Sequence, residues 1–318
     1  MKIGIFLKTT SGSDKEAVLK HLAKGIKKHG DKVAVYNQKK YEDCDIAVIF
    51  GFFGQNRGVM QDFRRKVYQK HTRRGKPCMF IESDLLKMAG EVKAYDDTCN
   101  SMHYRVPFGS VYFGDSEYFN KNSPPDRWNL LCERKKIDVL PYRDNGNHIL
   151  ICMNRGIDGR GWSTKGVDTW KWIEKKIYEI RKYTQRPIRV RFHPMGREYI
   201  KNERRNLWVK SLSSNIEVSG LNNEDIVDDC ENAWAAVVYN TSACVIPIVK
   251  GIPIFTDRKD CIASPIANHS VSNIEDPMLI NRTQWFYDLA YCMWNKKEMS
   301  EGLFWPTYKR NIKRVLNS

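Results

Sequence analysis

Short apolar runs recur along the chain, each closed by small, polar or basic residues, with stretches of helical spacing between them. Lys2-Ile-Gly-Ile-Phe-Leu7 predicts a first strand, a polar turn from Thr9 to Asp14 leads into a helix over about 15–29, and strands follow at 32–36 and 44–50. The strand at 44–50 ends in Gly51-Phe-Phe-Gly54, a helix with apolar and basic faces comes next, and Pro77-Cys-Met-Phe-Ile81 forms a fourth strand ending in Glu82-Ser-Asp84. Strands alternating with helices of this length predict βαβ units and a parallel sheet.

From about 95 to 147 the pattern loosens, and Asn122-Ser-Pro-Pro125 reads as a loop by its turn chemistry. A second alternation begins with a strand at 148–153. A glycine-rich loop runs to Gly166, a helix spans about 168–183, and strands at 188–192, 235–239 and 252–255 are separated by helices near 198–210 and 223–230 and a short segment at 216–218. Residues 283–294 and 305–315 read as aromatic-rich helices. The expected organisation is α/β: a first domain over 1–145, a second over 146–295, and a terminal helix over 296–318 returning to the first.

Composition narrows the class. With 318 residues, 42% hydrophobic and 28% charged, the chain is expected to fold into soluble globular domains. No apolar run is long enough to span a bilayer and the apolar stretch in the opening MKIGIFLKTT is too short for a secretory signal, so a cytoplasmic protein is expected. Nine cysteines without a C-x-x-C pair suggest neither a disulfide framework nor a zinc ribbon. The net charge of +16 points to a polyanionic partner: nucleic acid, nucleotides or an acidic surface.

Candidate chemistry sits where strands end. In the second half, Asn154-Arg-Gly-Ile-Asp-Gly-Arg-Gly-Trp-Ser-Thr-Lys-Gly166 offers Arg155, Arg160 and Lys165 to phosphate, although it matches neither a Walker loop nor a dinucleotide fingerprint. His193-Pro194 closes the strand at 188–192, and Asn240-Thr241-Ser242 closes the strand at 235–239, where hydroxyls can cap a helix while backbone N–H groups meet a diphosphate. In the first half, Glu82 and Asp84 are candidate general bases, with Asp115 and Glu117 in reserve. Phe53, Arg57, Arg105 and Tyr112 are candidate acceptor contacts.

These residues resemble the GT-B class of nucleotide-sugar glycosyltransferases, which implies two Rossmann-like domains facing a central cleft, with the donor on the second and the acceptor on the first. The His-Pro after a strand, the Asn-Thr-Ser after the next and the Gly251-Ile-Pro253 strand look like capsule polysaccharide and polysialic acid transferases, and imply donor-phosphate contacts from His193, Thr241 and Ser242. The layout is also similar to phage transferases that glucosylate hydroxymethylcytosine in DNA, which matches Asp84 to their catalytic aspartate and Arg155 and Arg160 to their phosphate-binding arginines. One departure stands out: Val245 and Ile246 occupy the place where these families put a ribose-binding Glu.

The resemblance implies an inverting transfer from a nucleoside diphosphate sugar, UDP-linked by expectation, with no cofactor or metal required. The expected acceptor is a 5-hydroxymethylpyrimidine in double-stranded phage DNA, glucose or a pentose such as arabinose being the sugar moved. The alternatives are a capsule or surface-polysaccharide transferase, for which the basic helix at 305–315 would serve at a membrane surface, a sugar-nucleotide epimerase, and a non-catalytic nucleic-acid-binding protein.

Overall fold

The computed structural model describes residues 1–7, 14–37, 41–51, 59–86, 102–106, 120–154, 167–193, 208, 211, 215–220 and 225–316. They form two compact units, Met1–Lys136 with Thr283–Ser318, and Ile137–Arg282. Residues 137–145 thus pack with the second unit and 283–295 with the first.

The first unit holds a six-stranded sheet ordered β11-β5-β4-β3-β1-β2. Its parallel strands are β1 (Lys2–Leu7), β2 (Lys32–Asn37), β3 (Ile46–Phe50) and β4 (Cys78–Ser83); β5 (His103–Arg105) runs antiparallel to β4, and β11 (Met293–Asn295) antiparallel to β5. Helix α1 (Asp14–Lys27) turns Val18, Leu19, Leu22 and Ile26 onto Ile3, Ile5 and Val48, all fully or nearly fully buried. Each such side chain contributes about 1.5–3 kcal/mol. Gly30, at φ +78°, reverses the chain from α1 into β2. Helix α2 (Val59–Thr72) connects β3 to β4, and α3 (Asp126–Lys135) follows the Pro124-Pro125 turn.

The second unit carries a five-stranded parallel sheet ordered β10-β9-β6-β7-β8, from β6 (His148–Cys152), β7 (Ile188–Arg191), β8 (Ile216–Ser219), β9 (Ala233–Val238) and β10 (Ile254–Phe255). Helix α4 (Thr169–Ile180) is capped by Asp168, whose carboxylate accepts from the Trp170 N–H at 2.9 Å. It buries Trp170, Trp172 and Ile173 against Ile149, Ile151 and Val190. Short helices α5 (Ile226–Cys230) and α6 (Val245–Val249) precede β9 and β10. Val245 and Ile246 lie in the core, as their side chains dictate.

After the second unit the chain returns to the first. The helix expected over 283–294 stops early: α7 covers Thr283–Ala290, and Met293–Asn295 becomes the edge strand β11. Tertiary contacts override helix propensity here. The Arg127 side chain donates from Nε to the Ala290 and Met293 carbonyls, at 2.9 Å each, and so covers the open edge of β11. Asn295 and Glu298 then form a capping box that starts α8 (Lys296–Glu301). Its close approach to α1 requires Gly25, where a Cβ would lie 1.8 Å from the Met299 carbonyl oxygen.

Helix α9 (Trp305–Leu316) buries Trp305, Tyr308 and Ile312 in the first unit's core. No helix among the described residues is long and apolar enough to cross a bilayer.

The pin of this returning segment is Glu298, its side chain 6% exposed. Arg127 Nη2 and Arg134 Nη1 each reach it at 2.8 Å, and the Asn295 N–H donates to it at 3.0 Å. Burial pushes the carboxyl pKa up, but the Arg127 hydrogen bond and charge outweigh it and hold the group at about 2, against an ordinary 4.5. With the folded value below the unfolded one, the stabilisation is complete above about pH 4.5 and lost as pH falls towards 2. Glu298→Gln should cost about 3–5 kcal/mol at neutral pH by stranding Arg127. Thermal melts from pH 7 down to 2 should show the gap between wild type and variant closing; a gap that stays constant would refute the assignment.

Candidate functional site

In the second unit all five strands run the same way, so their carboxyl ends share one edge. Along it, β9 leads into Tyr239-Asn240-Thr241, β6 into Met153-Asn154, β7 into Phe192-His193, and β8 ends at Ser219-Gly220. His193, half-buried, and the Asn240-Thr241-Ser242 turn therefore come to the same edge with only β6 between their strands, a spacing of about 10 Å.

Local chemistry explains this turn. Thr241 accepts the Ala243 N–H at 3.3 Å and caps a 3-10 turn, Ser242–Cys244, that runs directly into α6. Asn154, which closes β6, ties the two central strand ends together: its amide donates to the Asn240 carbonyl at 2.5 Å, and its oxygen accepts the Asn240 N–H at 3.4 Å. Asn240 itself is 0% exposed, and neither its side-chain nitrogen nor its oxygen has a hydrogen-bond partner. An unpaired buried polar group costs roughly 1–3 kcal/mol, so its retention calls for an explanation. Ser219, 8% exposed, has an equally unpartnered hydroxyl at the end of β8.

The sequence reading did not single out Asn154 or Ser219, nor Arg258, which follows β10. The Arg258 guanidinium lies 5.0 Å from the Tyr239 ring centre and is held by Asp260 at 2.9 Å. An Asn and an Arg just beyond strand ends and a Ser at the end of a strand were the available signals. Arg191, by contrast, is structural: its guanidinium pairs with the Asp229 carboxylate and donates to the Asp225 carbonyl.

In the first unit, β3 and β4 end together at Gly51 and Ser83, and the Gly51 N–H donates to the Ile81 carbonyl at 2.7 Å. Glu82, half-buried near the end of β4, stands opposite Arg105 across the antiparallel pair. Burial lowers the Arg64 pKa below the usual arginine value and the Glu82 charge opposes that shift, which places these two groups in one electrostatic neighbourhood. Asp84 is otherwise committed. Its Oδ2 pairs with Lys135 Nζ at 2.8 Å, with side chains 6% and 1% exposed, and its Oδ1 accepts the Leu86 N–H at 2.8 Å.

Arg155, Arg160, Lys165, Phe53, Arg57 and Tyr112 lie outside the described residues, as do Asp115 and Glu117. Among the described residues no group of three or more His, Cys, Asp or Glu side chains is placed to hold a metal ion.

Against known proteins, the sequence matches no family model and no curated protein. Solved structures do match. KpsC of Thermosulfurimonas dismutans, a beta Kdo 2,4 transferase, superposes with a TM-score of 0.55 at 15% identity, covering 92% of this chain and 90% of that one. The beta Kdo 2,7 transferase of the same protein gives 0.54 at 10% identity, covering 98% and 99%. This chain shares their fold. The expected α/β class with two Rossmann-like sheets is thereby established, and the GT-B resemblance holds at the level of fold. The resemblance to transferases of hydroxymethylcytosine DNA finds no support in these matches.

Asp84→Asn should strand Lys135 and cost about 3–5 kcal/mol, while Asp84→Asn combined with Lys135→Met should recover most of that loss. Denaturant melts of the three proteins test this. An Asp84→Asn variant as stable as wild type would show that the pair is not structural.

Proposed function

We propose that the chain is a glycosyltransferase that takes a sugar from a nucleotide-sugar donor bound at the carboxyl edge of the second unit's sheet, and that its acceptor is a capsule or surface glycan. The observation that carries this is the meeting of His193, Asn154, Asn240 and Thr241 at one strand-end row, in a chain of which 92% and 98% follow the fold of two Kdo transferases. The +16 charge suits an acidic glycan as well as it suits DNA. Hydroxymethylated DNA rests on that charge and on a layout likeness that no structural match supports, and is the weaker acceptor.

The chemistry proposed is in-line displacement. The acceptor oxygen bonds to the anomeric carbon, its proton passes to a carboxylate, and the bond from that carbon to the donor phosphate oxygen breaks. We assign the base to Glu82 in preference to Asp84, because a proton on Asp84 would dismantle a buried ion pair. His193, Arg155, Arg160, Lys165 and the N–H groups of residues 241 and 242 would balance the charge growing on the departing phosphate, the Asn240 N–H being taken by Asn154. No step in this scheme calls on a metal ion, since cations and N–H groups can carry that charge.

The test is mass spectrometry after incubation with a panel of sugar nucleotides and two acceptor classes, acidic oligosaccharides and hydroxymethylated duplex DNA. Transfer to the glycan is expected, with His193→Ala lowering kcat/KM by about 10²–10³. Transfer to DNA alone would overturn the acceptor, and transfer to neither would overturn the function.

A further inference from the structure

Among the described residues of the second unit, four buried side chains carry polar atoms without partners: Thr169 and Trp172 on α4, and Asn240 and Ser219, which sit at two ends of one row of strand ends. Asn240, after β9, is 0% exposed with both amide atoms unpartnered; Ser219, closing β8, is 8% exposed with an unpartnered hydroxyl. The strand order β9-β6-β7-β8 puts them three strand spacings apart, about 14 Å, with Asn154 and His193 on the strand ends between. Neither is needed to hold the backbone. The main chain of Asn240 is fixed by Asn154, and the Ser219 carbonyl already accepts the Phe192 N–H at 2.9 Å.

The chemical character of the two groups is matched. A carboxamide and a hydroxyl each donate and accept, whereas a phosphate oxygen only accepts. Their natural complement is a ligand hydroxyl. We propose that Asn240 and Ser219 are the two hydroxyl-reading ends of the donor cradle, one meeting the ribose and the other the transferred sugar, with the diphosphate lying across His193 between them. This rests on the nucleotide-sugar function proposed above. It adds a ruler: a ligand with a hydroxyl-bearing ring at each end and a phosphate bridge in the middle fits the row, and a mononucleotide engages only one end.

The experiment is calorimetric titration of wild type, Asn240→Leu and Ser219→Ala with UDP and with UDP-glucose and UDP-N-acetylglucosamine, alongside thermal melts. Both variants should keep or raise the wild-type Tm, because an unpartnered polar atom is removed. Each should weaken binding of the sugar nucleotide by roughly ten- to a hundredfold, and only one of them should weaken UDP. If wild type binds a sugar nucleotide and either variant binds it equally well, the cradle is wrong while the donor site stands. Equal weakening of UDP by both variants overturns the two-ended arrangement. A lowered Tm with donor affinity intact marks a structural residue and also overturns it. Should Asn240→Leu not fold, Asn240→Ala is read in the same way, and failure of both shows that the amide serves the fold. Wild type that binds none of the three ligands removes the function and the cradle together.

Discussion

Glu298 is the constraint on which the first unit depends. Its carboxylate gathers two arginines from α3, Arg127 and Arg134, and the N-terminus of α8 into one buried knot. Arg127 in turn seals the edge strand β11 and lies with its guanidinium 3.5 Å from the Trp294 ring centre. A buried ion pair is poor evidence of net stability, because desolvation offsets much of the attraction. Its value here is specificity of docking. An apolar segment containing Trp294, Phe304 and Trp305 could slide along a greasy surface, whereas a bidentate carboxylate has one seat.

The same physics separates scaffold from site in the second unit. Its parallel sheet is packed on both faces, which leaves strand ends as the places where polar side chains can collect. Most polar groups there are spoken for: Arg191 by Asp229, Arg258 by Asp260, Asn154 by the neighbouring backbone. Asn240 and Ser219 are exceptions, and exceptions of this kind cluster where a protein has kept something other than stability.

Much of the architecture was legible in the pattern of apolar runs, because strands of a covered parallel sheet are nearly continuous hydrophobic stretches: Ile46–Phe50 and His148–Cys152 could be read directly. The three-residue strands His103–Arg105 and Met293–Asn295 could not, since so short a run has no period, and its pairing is decided by a partner almost two hundred residues away. At the site, His193 and Asn240 announced themselves by following strands. The ion pair that occupies Asp84 was invisible, because Lys135 lies in a helix that nothing in the local sequence connects to β4. Asn154 and Ser219 were missed for a related reason: a polar residue at or just after a strand end is common, and what distinguishes these two is the presence or absence of partners.

The first unit is discontinuous: residues 137–282 are complete before Thr283–Ser318 supply its edge strand and last helices. During synthesis, the earlier-made half must therefore emerge from the ribosome with Tyr104 and Val106 uncovered and the open side of β5 unpaired, and wait while the later-made unit closes on its own. The first sheet thus gains its last strand only when translation has ended, after the residues of the second unit have all been made.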